Sequence, residues 1–272
     1  MRNAAPARTA TSSVRTDRTS AHPGRLRRTA LVATGLLACA IPVVFTAELT
    51  RMLLVGELPE HRFHQLTGQG LLLCALWLGG LLPLLRAGWS GRRPSVVTGA
   101  LHAVVVATGA ACAVASPRGG APVLVGVLAV TGALLWTALP TRPRLHLRVQ
   151  VDPVLAPLWL VAAALTMPYV LAQIALQNAA TGHHADNPHF FDMAWLALAL
   201  VTLGVLAAVL PALRRLGPVA GAGLTWTGAV GTALGTDRPW TLVALVAGLC
   251  AVVLSVALAR RPERAREAGS LI

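Results

Sequence analysis

His61 and His64 stand three residues apart just ahead of one hydrophobic stretch, and His189 and Asp192 stand three apart just ahead of another. On a helix, residues i and i+3 share a face, so each pair presents two ligands from one helix end. Where two such ends adjoin, three imidazoles and a carboxylate converge. That donor set suits a divalent metal, Zn²⁺ or Cu²⁺, better than Cu⁺, which prefers thiolate and thioether sulfur. His183 and His184, with Asp186, supply secondary ligands or guard the mouth. A plainer reading competes. Histidine suits the interface where loops meet lipid headgroups, and a carboxylate near a helix N-terminus gains about 0.3–1 kcal/mol from the helix dipole.

Three further polar residues lie inside hydrophobic stretches: Glu48, His102 and Gln173. Ionisable groups at membrane depth are costly and face a cavity or a partner. Thr98 is a candidate partner for the His102 ring, and Arg51 for Glu48. Gln173, with Asn178, is explained by hydrogen bonds between helices. Haem ligation would need a second mid-span histidine, which the sequence lacks. The cysteines Cys39, Cys74, Cys112 and Cys250 all fall in apolar runs without a C-x-x-C neighbour. A disulfide framework or cysteine zinc site is therefore not expected. The P-loop, G-x-S-x-G and H-E-x-x-H signatures are also missing.

The elements that must carry these residues are membrane helices. The chain has 272 residues, 55% hydrophobic and only 12% charged, where a soluble domain carries about 25% charged residues. A helix needs roughly 20 apolar residues to cross the hydrocarbon. Eight stretches qualify: 29–49, 66–85, 96–116, 121–139, 154–177, 191–213, 217–235 and 238–259. The expected fold is an all-α polytopic transmembrane helical bundle. β-Strands are not expected, because the runs are too long and lack two-residue alternation.

Charge sets the orientation. Nineteen of the 23 arginines fall in the two tails and in alternate gaps, and there is no lysine. The other four are Arg51, Arg62, Arg118 and Arg238. Cationic loops resist translocation, so the arginine-rich side is cytoplasmic, both termini lie inside a bacterial cytoplasmic membrane, and the histidine loops face outward. The net charge of +13 does not indicate nucleic acid, because the arginines punctuate apolar runs. The lipid bilayer is the implied partner.

The halves resemble each other. Ile41-Pro42-Val43-Val44 matches Met167-Pro168-Tyr169-Val170, and the external loops end in Pro59-Glu60-His61 and Pro188-His189. His61 and Pro83 are 22 residues apart, as are His189 and Pro211. Four spans per half keep both copies in the same orientation, a 4+4 parallel repeat about an axis along the membrane normal. The segments are then a disordered arginine-rich tail (1–28), a first four-helix half (29–139), a cytoplasmic linker (140–153), a second half (154–259) and a cytoplasmic tail (260–272). Pro42, Pro83, Pro168 and Pro211 are expected to kink their spans. Gly217-x-x-x-Gly221 and Gly231-x-x-x-Gly235 predict close packing of the seventh span. Trp77, Trp136, Trp159, Trp195, Trp226 and Trp240 are read as interfacial anchors.

The phrase Leu76-Trp77-Leu78-Gly79-Gly80-Leu81 resembles one in the bacterial copper-resistance D membrane domain, which is also a multi-span bundle. The resemblance covers about six residues. That family's histidine lies closer to the tryptophan than His64 lies to Trp77 here, and the phrase does not recur in the second half.

Three functions fit these residues. A transporter or permease would use loops 50–65 and 178–192 as a polar mouth for a metal ion or small polar molecule. A membrane-embedded metal-dependent enzyme or redox-assembly factor would use the same histidines. A non-catalytic accessory subunit would use its small-residue face on a membrane partner.

Overall fold

The computed structural model describes residues 24–56, 61–144 and 148–269, without the side chains of His183 and of 259–269. Most of the N-terminal tail, Pro59 and Glu60 therefore lie outside the described residues. Eight long helices follow in chain order: α1 (Arg25–Val55), α2 (Arg62–Trp89), α3 (Val96–Ala115), α4 (Ala121–Ala138), α5 (Leu155–Ala179), α6 (His189–Val209), α7 (Leu216–Leu234) and α8 (Arg238–Gly269). Among the described residues there is no strand. Seven of the helices, all but α7, are long and apolar enough to cross a membrane. The length of α7 is sufficient, at 19 residues, but its glycines and threonines dilute its hydropathy.

The distribution of apolar side chains is that of a bundle in lipid. Val44, Leu54, Val114, Val123, Leu160, Leu171, Val246 and Val253 are exposed on the outer surfaces of the helices. In water such a surface would be an association hazard. In a bilayer it is the solvent-facing side.

Helix α6 is the centre. Of its most apolar stretch 72% is buried, against 22–44% for the other six, and it packs on α2, α3, α5 and α7. The expected repeat pairs α6 with α2, yet α2 sits nearer the periphery at 39%. The prolines differ as well. Pro42, Pro83 and Pro168 lie inside helices. Pro211 instead opens a short 3₁₀ turn after α6 has ended, because proline is tolerated in a first turn but not in mid-helix. At the C-terminal end, the tail expected from residue 260 continues as helix to Gly269.

Glycine sets the closest approaches. A methyl group added at Gly228 would strike the Leu245 and Thr241 backbone, and one at Gly248 would meet the Thr225 backbone and side chain. Helices α7 and α8 thus pack backbone to backbone. Gly235 is no packing residue: it caps α7 at φ 70°, the left-handed conformation that glycine adopts without a Cβ penalty.

The tryptophan reading needs correction. Trp77, Trp159 and Trp195 are fully buried. Gly109 opens space for the Trp195 ring and Gly204 for Trp159, and Trp195 Nε1 donates to the Val105 carbonyl at 2.7 Å. Of the six, Trp226 is the exposed one, at 47%.

Candidate functional site

Gly56 closes α1 in the left-handed conformation, its N–H donating to the Met52 carbonyl. The chain re-enters at His61, which precedes the first turn of α2. From Gln65 to Trp77 α2 is wound as a π-helix, a form that in shorter pieces marks functional sites. Across the bundle, α5 ends at Ala179, a helical turn covers His183–Asp186, and Pro188 precedes α6. These two connections deliver their histidines to the same place.

Four imidazoles gather there. The His61 ring stacks on His189 with centroids 4.7 Å apart and an interplanar angle of 22°. His64 lies 5.4 Å from His189 and 6.5 Å from His61. His184 lies 5.7 Å from His61 and 5.9 Å from His189. His189 is buried, at 5% exposure. Phe63 and Phe190 flank the cluster, each edge-on or tilted to a histidine ring. Among the described residues, no three His, Cys, Asp or Glu side chains converge their donor atoms as a ready metal cage.

Polar main-chain contacts hold the second connection. Gln177, near the end of α5, donates from Nε2 to the His184 carbonyl at 3.1 Å. Its Oε1 accepts from the Phe191 N–H at 3.2 Å. One buried carboxamide thus ties the His184 turn to the start of α6. Asn178 donates to the Ala115 carbonyl at 3.1 Å, bridging α5 to the end of α3. Gly119, at φ 75°, brings the α3–α4 turn against the Ala185 carbonyl.

A cavity of about 220 Å³ adjoins the cluster, lined among others by Glu48, Met52, His61, Gln65, Gln69 and His189. Arg62 donates from Nη1 to Gln65 Oε1 at 3.0 Å. Glu48 pairs with Arg51 at 2.6 Å on the exposed side of α1. The carboxamides Gln65 and Gln69 were not singled out from the sequence. Their spacing of four, on the helix that carries His64 and directly follows His61, was the available signal.

Asp192 is buried one turn below His189, its Cβ close against Gly68 of α2. Its Oδ1 has no hydrogen-bond partner among the described residues. Gln173 is buried with its Oε1 likewise unpartnered. His102 belongs elsewhere. Its Nδ1 accepts from Trp136 Nε1 at 2.9 Å, so the partner is this indole and not Thr98. The ring packs edge-on to Trp77, with Gly80 and Gly132 making room. Gly80 lies 16 residues along α2 from His64, several helical turns away.

These two connections thus form an imidazole-rich chamber, and the bundle beyond it is packed with apolar side chains. No protein-family model, curated protein or solved structure matches this chain.

Proposed function

We propose that this is a multi-pass membrane protein whose outer-face histidine cluster binds a divalent transition-metal ion, Zn²⁺ or Cu²⁺. The spacing of the four rings carries the reading. A metal–nitrogen bond is about 2.0–2.1 Å, which puts an imidazole centroid roughly 3 Å from the ion. Two imidazoles on one ion at a tetrahedral angle then have centroids about 5 Å apart. The five separations here run from 4.7 to 6.5 Å. Small rotations about the side-chain torsions would turn ring nitrogens toward a common centre. Asp192, one turn deeper, is a candidate fifth ligand or acceptor for a ligand's N–H.

Binding is favoured over conduction. A permease needs a polar track from the mouth to the opposite face. Below the cluster, Leu72, Leu73, Leu76, Trp77, Trp195 and Leu196 fill the interior. The adjoining cavity gives an enzyme reading some support, since catalytic metal sites keep one coordination position open.

The topology that accompanies this reading has α7 as the eighth crossing, both termini in the cytoplasm of a bacterial cell and a parallel duplication of four spans. The alternation of arginines supports the first two of these. The matched His61 and His189 loops support the third.

Metal analysis of the protein purified without chelator tests the site. Near-stoichiometric zinc or copper is expected in the parent and loss of it in the His61→Ala/His189→Ala double variant. Metal retained by a folded double variant refutes the assignment.

A further inference from the structure

The opposite end of the bundle holds a second cavity, of about 180 Å³. It is lined by Asp152, Leu155, Arg214, Arg215, Pro218, Ser255 and Leu258. The short connection between α6 and α7 supplies the arginines, and α8 supplies Ser255.

The linker before α5 builds one wall. Gln150 and Asp152 donate their N–H groups to the Val209 and Ala208 carbonyls at 2.9 and 2.8 Å. That fixes the linker along the end of α6. Asp152 is nearly buried and already engaged. Its Oδ1 accepts from the Val154 and Leu155 N–H groups, both at 3.0 Å, and its Oδ2 lies 3.7 Å from Arg214 Nη2. The carboxylate is spent on capping α5 and on one edge of one guanidinium.

Positive charge is left over. Arg215 has no ion-pair partner among the described residues, and the N-terminus of α7, which begins at Leu216, adds the positive end of its dipole. Ser255 is 9% exposed, and its Oγ has no hydrogen-bond partner. A Cβ added at Gly217 would lie 3.3 Å from that oxygen, so the hydroxyl faces the first turn of α7. A buried hydroxyl without a partner costs about 1–3 kcal/mol. Two guanidiniums, a helix N-terminus and a hydroxyl around a small cavity form a donor set for a phosphate group.

We propose that this cavity binds a phosphate group, carried by an anionic phospholipid headgroup or free in solution. The flanks favour the lipid. The site opens at the arginine-bearing end of the bundle, Leu155 and Leu258 line its walls, and basic pockets between membrane helices on the cytoplasmic side suit such headgroups. This inference does not depend on the histidine cluster.

Native mass spectrometry of the detergent-purified protein tests it, with phosphatidylglycerol, phosphatidylcholine and inorganic phosphate as separate probes. Phosphatidylglycerol is expected to bind in preference to phosphatidylcholine. The Arg214→Gln/Arg215→Gln variant is expected to lose at least about tenfold in that affinity, the loss that even one charge-assisted hydrogen bond would give. Inorganic phosphate bound by the parent and lost in the same variant would support the cavity and assign the soluble source. Should the double variant fail to fold, Arg215→Gln alone and a salt titration of the parent take its place, since binding must weaken as sodium chloride rises. Equal retention of both lipids by parent and variant, with no phosphate bound, overturns the proposal.

Discussion

The side-chain amide of Gln177 donates to the His184 carbonyl, and its oxygen accepts from the Phe191 N–H. A single residue of α5 thus sets the height of the His184 turn against α6. Neither bond touches an imidazole, so Gln177 acts by positioning. Gln177→Leu is expected to weaken zinc binding about tenfold, the low end of outer-shell effects on metal sites. It leaves the buried Phe191 N–H unpaired, which costs roughly 1–3 kcal/mol of stability. Zinc titration and thermal unfolding read the two effects separately. Unchanged zinc affinity in a destabilised variant would show that Gln177 serves the fold alone.

Metal binding is expected to be steeply pH-dependent. An imidazole ligates only when neutral, and an unperturbed imidazole titrates near pH 6.5. Lowering the pH makes protons compete for the same lone pairs, so affinity falls as acidity rises. With more than one imidazole on the ion, the loss between pH 7.5 and 5.5 should exceed tenfold. A zinc dissociation constant measured across that range checks this. A flat profile would count against ligation by more than one imidazole that titrates in this range.

His102 provides the contrast. Trp136→Phe removes the indole that donates to its Nδ1 and leaves that nitrogen buried without a partner, at a cost of about 1–3 kcal/mol. Stability should fall while zinc affinity stays at the parent level, because His102, on α3, packs beside Gly80, far along α2 from the cluster. Loss of zinc in this variant would mean that the two histidine environments are coupled.

Much of this was legible in the sequence. The i, i+3 spacing of His61 with His64 put both on one helix end, and the matching position of His189 pointed to a shared site. The pair Arg214-Arg215 marked the break between α6 and α7, where hydropathy was weak. Other features had no local signal. His184 ranked below Asp192 because a carboxylate at i+3 fits a helical template, whereas the four-residue turn that returns His184 is held by Gln177, from another element. Trp77, Trp159 and Trp195 read as interfacial because tryptophan usually is. Trp195 and Trp159 are buried where Gly109 and Gly204 make room for their rings, and those pairings are non-local. The π-helical winding of Gln65–Trp77 has no signature in its residue types. Pro211 looked equivalent to Pro83 by spacing, but α6 ends one residue before Leu210 and the proline starts a new turn.

The α7–α8 contact is the part of the bundle least tolerant of added volume. At Gly228 a side chain would enter the backbone of α8, and no rotamer of a neighbour can relieve that. Gly228→Leu should separate the two helices and cost at least the roughly 1–3 kcal/mol of ordinary overpacking. Gly79, with nothing within 4 Å of an added Cβ, is the control: Gly79→Ala should be neutral or slightly stabilising. Thermal unfolding in detergent distinguishes them. Equal melting temperatures for both variants would show that the helices are not in backbone contact.

Orientation is the last test, and it bears on both sites at once. Thr181, beside the histidine turn, and Ser90, in the arginine-bearing gap after α2, are both exposed. The native cysteines all lie in the helices, so a background without them isolates new positions. A membrane-impermeant maleimide applied to intact cells should label Thr181→Cys and spare Ser90→Cys, and lysis should expose the second. The physical reason is the cost of carrying guanidinium groups across the bilayer. The reverse pattern would put the imidazoles in the cytoplasm. It would also leave the Arg214–Arg215 cavity facing the outside, away from the anionic inner leaflet.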